Sequence, residues 1–143
     1  MKIKTSEATG PALNWMAVVA EGDLVFRPRV GRPVDWNLAY YERGEDDRWV
    51  VRAQVKDVSW FADYVYAPSE NWAQGGPIVE REEIGLRRNA PCAKGCEWEA
   101  SPSITAKGAG GKWGYGPTPL IAAMRCFVAS KLGDEVDVPE KLA

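Results

Sequence analysis

Trp72 stands between Pro68-Ser69 and Gly75-Gly76-Pro77, a neighbourhood of turn-forming residues that reads as a loop carrying a large stacking surface. Adjacent glycines let a backbone approach a ligand closely and turn its N–H groups toward an anion. Trp72, Gln74, Gly75 and Gly76 therefore form a first candidate site, with a simple tight turn as the other reading. A second group lies at Trp113, Tyr115 and Thr118, where two aromatic rings precede a helix start. Unpaired N–H groups and the helix dipole favour negative charge there, unless Thr118 only caps its own helix. Arg125 belongs to a run that is otherwise apolar, so its guanidinium must find a carboxylate, a carbonyl or a ligand anion. A structural ion pair is the simplest of these.

Acid–base chemistry has one candidate cluster, Glu80, Glu82 and Glu83 with Arg81. In a strand Glu80 and Glu82 would share a face, although a solvated charged edge explains them equally well. The chain has no histidine, which removes the commonest general base and the commonest metal ligand together. Its three cysteines are Cys92, Cys96 and Cys126, too few thiols for a closed four-ligand zinc site. They read as two loop thiols and one buried helix thiol, and no metal or cofactor is expected. Seven tryptophans and five tyrosines in 143 residues are more aromatic surface than a core of this size needs. Aromatic faces can hold a planar base.

Eighteen basic residues against twenty acidic ones leave a net charge of −2, a poor basis for the many phosphate contacts that duplex nucleic acid binding demands. Arg27, Arg29, Arg32, Arg43, Arg48 and Arg52 fall in the first half and leave room for a local patch. No stretch approaches the roughly 20 apolar residues that cross a bilayer, and the amino terminus turns polar at once. The expected location is the cytosol, without membrane contact.

The elements that must position these residues follow from pattern. Gly10-Pro11 opens a helix with Leu13, Met16, Ala17 and Ala20 on one face, and Gly22 ends it. From Asp23 to Tyr66 the period is two. Leu24 to Arg29 reads as a strand broken at Pro28 and Gly31-Arg32-Pro33, and Trp36, Leu38 and Tyr40 mark a second. Arg43 to Asp47 forms a hairpin loop. Trp49, Val51, Ala53 and Val55 face one side of the next strand, and Trp60, Ala62, Tyr64 and Tyr66 mark another. Arg87 to Gly116 is expected to be irregular, with short strands near Cys96 to Ala100 and Lys112 to Tyr115. Thr118-Pro119 opens a buried helix that Gly133 closes, and an acidic tail on the surface follows. The sum is one α+β domain over residues 1–143, an antiparallel sheet of about four to six strands packed by an amino-terminal and a carboxy-terminal helix.

Three blocks carry a resemblance: Met1-Lys2-Ile3-Lys4-Thr5-Ser6-Glu7 with Ala12-Leu13-Asn14-Trp15, the run from Pro68 through Trp72-Ala73-Gln74-Gly75-Gly76-Pro77 to Glu82, and Gly116 to Gly133. In this order they resemble the NinX-type family of small phage proteins. The resemblance implies an accessory product of a temperate phage or prophage, and it brings no catalytic residues to carry over. The expected role is non-enzymatic: binding of a small anionic, nucleotide-like ligand, suited to sequestering a host defence signal. A protein-interaction module acting on a host or phage protein and a small carboxylate-dependent enzyme are the alternatives. The sequence leaves a homodimer open.

Overall fold

A computed structural model describes residues 1–22, 25–26, 38–56, 61–90, 92–103 and 111–143. The turn at Gly31-Arg32-Pro33, Trp36, Trp60 and the arginines at 27, 29 and 32 lie outside the described residues.

The first helix, α1, spans Gly10–Glu21. Proline near its start needs no hydrogen-bond partner, and Gly22 ends it at φ 76° with its N–H on the Val18 carbonyl, a left-handed cap that glycine adopts without strain. Leu13, Met16 and Ala17 are fully buried as their spacing predicts. Trp15, off that stripe, meets Tyr41 edge-on at 5.4 Å, and Tyr41 meets Trp49 in the same way at 5.7 Å. These contacts seat α1 on a four-stranded sheet of β2 (Val25–Phe26), β3 (Leu38–Arg43), β4 (Trp49–Lys56) and β5 (Phe61–Val65), in that order. The β3–β4–β5 pairings are antiparallel and β2–β3 is parallel. The expected hairpin loop is present, closed by Gly44 N–H on the Arg48 carbonyl at 2.7 Å. Val51 and Ala53 are buried on β4, and Gln54, on the opposite face of the strand, is buried too.

The middle of the chain departs from the sequence expectation. Trp72–Arg81 is a helix, α2, with Gly75, Gly76 and Pro77 inside it. Asn71 caps it by accepting from the Ala73 N–H at 2.9 Å, and Ile78 anchors it in the core. Packing decides this against local propensity. A side chain at Gly75 would collide with the Pro68 carbonyl and the Leu120 methyl group, whereas nothing lies within 4 Å of the corresponding position at Gly76. Gly75→Ala should therefore destabilise the protein by about 1–3 kcal/mol, while Gly76→Ala should stabilise it by about 0.4–1 kcal/mol. Urea unfolding of the two variants side by side checks the contrast.

A three-stranded antiparallel sheet follows, β6 (Gly85–Arg88), β7 (Trp98–Ser101) and β8 (Gly114–Gly116). Two of these strands fall where short strands were expected. Next comes α3, Pro119–Leu132, capped by the Thr118 hydroxyl, which accepts from the Ile121 N–H at 3.2 Å. Nine of its residues are buried, and it touches all three strands of this sheet as well as α1 and α2. Gly114 and Gly116 turn their bare faces to it. A Cβ at Gly114 would come within 3.0 Å of the Ala122 carbonyl oxygen and of the Cys126 backbone.

The tail is not simply a surface segment. Glu135–Asp137 forms β9, which pairs with β1 (Lys2–Lys4), and Val138 and Leu142 are buried. Apolar residues spaced among the acids supply an inner face. The α-amino group 2.7 Å from Asp137 holds that carboxyl below its ordinary range. The fold class is α+β as expected, but among the described residues the strands divide into three sheets, and a further α-helix, α2, lies between the two that were anticipated.

Candidate functional site

The residues singled out in the sequence separate into three places. Trp72 is at the first turn of α2, and the residue is 53% exposed. Gln74 is engaged by the backbone: its amide donates to the Val65 carbonyl at 2.7 Å and accepts from the Ala67 N–H at 2.6 Å. That bidentate clasp ties the end of β5 to α2. Gly75 is buried against Pro68, and the hydroxyl of Thr118 caps α3. The expected Gly75-Gly76 turn offering N–H groups to an anion is thus replaced by helix, because tertiary packing holds this segment in register. The carboxylates change likewise. Glu80 is on α2 and Glu82 follows its last turn, so they share no strand face. Glu82 lies instead beside Arg81 at 3.2 Å and Lys131 at 3.5 Å.

Arg125 is inside the molecule at 8% exposure. Its Nε donates to the Ala8 carbonyl at 3.0 Å and its Nη1 to the Tyr115 carbonyl at 2.7 Å. Burial pushes the guanidinium down from its ordinary pKa. Of the partners open to it, Arg125 takes backbone carbonyls, joining the turn before α1 to β8. Among the thiols, Cys92 is exposed, Cys96 half-buried and Cys126 buried, and burial pushes the Cys126 thiol up to about 11. Among the described residues no group of three or more acidic, Cys or His side chains is placed to hold a metal ion.

Trp113 and Tyr115 come together with groups that sequence pattern did not single out. Arg87 is opposite Glu99 and Glu99 opposite Tyr115. Residues opposed in antiparallel strands point to the same side, so these three make a row across the face of the sheet that α3 does not cover. Leu86, Ala100 and Gly114 make the alternate row, toward α3. Within the outer row the Arg87 Nε donates to Glu99 Oε1. The Glu99 side chain is 8% exposed while that of Arg87 is 73% exposed, so a shielded carboxylate is overlaid by an accessible guanidinium.

Beside this pair opens a hollow of about 160 Å³, lined by Gly85, Leu86, Arg87, Glu99, Ser101 and Trp113. Trp113 is 51% exposed, and Tyr115, next in the row, is exposed as well. The hollow combines an aromatic wall, an ion pair of zero net charge and a hydroxyl. Such a set can stack a planar ring and exchange hydrogen bonds with its edge. The signal that leads to it is the alternation in Trp98-Glu99-Ala100-Ser101, which turns Glu99 and Ser101 away from Trp98 and Ala100.

A family model described as bacteriophage P22 NinX matches residues 4–131. The chain belongs to the NinX family. The matched span contains α1, all of the β6–β8 sheet, the hollow and nearly the whole of α3, so the resemblance carried by the three sequence blocks extends across the intervening strands. No curated protein matches this NinX chain. Among its described residues no helix is long and apolar enough to cross a membrane.

Proposed function

We propose that this NinX protein is a non-enzymatic binding protein that captures a small nucleotide-like ligand, stacking the ring on Trp113 in the hollow of the β6–β8 sheet. One observation carries the reading: an indole half open to solvent forms the wall of a concave site whose other polar groups are Arg87, Glu99 and Ser101. Ligand pockets that enclose a whole drug-sized molecule measure about 300–1,000 Å³. A hollow of 160 Å³ suits a ring with the rest of the ligand projecting over the rim. Arg87 is on that rim with its guanidinium exposed, in the position of the cation that an anionic substituent needs. In a phage protein, capture of a nucleotide signal of host defence is the role that fits such a site.

Titration calorimetry with mono-, di- and cyclic nucleotides tests the proposal. Trp113→Ala should weaken the bound ligand by about 1–3 kcal/mol, the usual contribution of base–aromatic stacking. Trp72→Ala, whose ring does not line the hollow, should leave affinity unchanged. No heat from any nucleotide with the wild-type protein, or an undiminished affinity in Trp113→Ala, would sink the reading.

A further inference from the structure

We infer that the hollow selects among planar rings by the hydrogen-bonding edge they present, and that the edge it takes is a pair of adjacent N–H donors of the kind guanine carries at N1 and its 2-amino group. This rests on the capture reading above and names the ligand class for that site. Stacking on Trp113 does not discriminate, since every base has a π-face. Discrimination has to come from the polar groups that line the hollow. Glu99 is the one shielded from water, and its ion pair with Arg87 marks it as ionised.

An ionised carboxylate is an acceptor only, with about four lone-pair sites on two oxygens. The Arg87 Nε occupies one site on Oε1, which leaves acceptor capacity on the same shielded group. A guanine edge offers two donors side by side to such an acceptor. Adenine and cytosine each set their amino group next to a ring nitrogen that is itself an acceptor, and uracil flanks its single N–H with two carbonyls. Each of these would bring a lone pair against the carboxylate, and a buried polar group facing the wrong partner is costly. Ser101 shares this face, opposite Gly85 in the neighbouring strand. Its hydroxyl donates or accepts as required, so it tolerates the remaining ring atoms without selecting among them.

Calorimetry of the full-length protein with guanosine, inosine and adenosine monophosphates decides the matter. The guanine nucleotide should bind about tenfold more tightly than inosine monophosphate, within the range that a good bidentate pair contributes, and more tightly still than adenosine monophosphate. Inosine, which lacks only the 2-amino group, isolates that contact. Glu99→Gln, which replaces one acceptor oxygen by a donor, should erase the preference, so that the guanosine and inosine nucleotides bind with equal affinity. Equal affinity for the three nucleotides, or a preference unchanged in a folded Glu99→Gln, would overturn the selection and leave ring capture standing. Absence of binding by every nucleotide would overturn both. Should Glu99→Gln fail to fold, the ratio of guanosine to inosine affinities in the wild-type protein is decisive alone.

Discussion

Gly114→Ala is expected to lower the free energy of unfolding by about 3 kcal/mol, at the upper end of what overpacking costs. The methyl group would meet main-chain atoms of α3: the Ala122 carbonyl oxygen on one side and the Cys126 N and Cα on the other, all within 3.0 Å. A flexible side chain could swing aside, but these atoms are held in the hydrogen-bond ladder of a buried helix. Relief therefore requires β8 and α3 to separate. Separation strips packing from Ala100, Ala122 and Cys126, which are at most 1% exposed. Against a total stability of roughly 5–15 kcal/mol for a native domain, a loss of this size is readily measured. Urea denaturation followed by circular dichroism should show an earlier midpoint with an unchanged slope. A midpoint equal to wild type would mean that strand and helix are less closely apposed than described.

Arg125→Met should cost about as much, near 3 kcal/mol, by a different route. Two carbonyls, Ala8 and Tyr115, lose donors at 3.0 and 2.7 Å. Hydrogen bonds to a charged group contribute about 1.5–3 kcal/mol each, and relief of the desolvation that lowers the guanidinium pKa offsets part of the loss. Arg125→Lys should recover less than half, because an ammonium on a flexible stem does not present two donors in the fixed fork of a guanidinium. The same variants separate architecture from recognition. If Arg125 only joins backbone segments, nucleotide affinity of folded Arg125→Met should match wild type in the calorimetric assay. A weakened affinity would place Arg125 in contact with the ligand.

The helices α1 and α3 are legible in the sequence because their signals are local. Gly10-Pro11 and Thr118-Pro119 supply starts, and Gly22 and Gly133 supply stops, each acting within a turn of its own position. The helix α2 is not legible in this way. Gly75-Gly76-Pro77 reads as a break, and what overrides it is a fit between Gly75, the Pro68 carbonyl and Leu120, the last of which comes from a distant part of the chain. Trp113 and Tyr115 stand out by residue type alone. Arg87, Glu99 and Ser101 do not, since they join one another only through the register of β6 and β7, which no local signal in the sequence sets. Arg125 illustrates a middle case. Its sequence context demands a partner, yet only the fold reveals that the partner is main chain.

The helix α3 has a consequence for how the protein is made. Translation delivers α1 and the four-stranded sheet before α3, on which α1 also packs. Until α3 follows, Leu13, Met16 and Ala17, wholly enclosed in the folded molecule, belong to a helix that lacks one of its main packing partners. Contacts between such remote segments slow folding and leave a nascent chain prone to aggregation. The yield of folded protein should therefore rise when chaperones are supplied in excess.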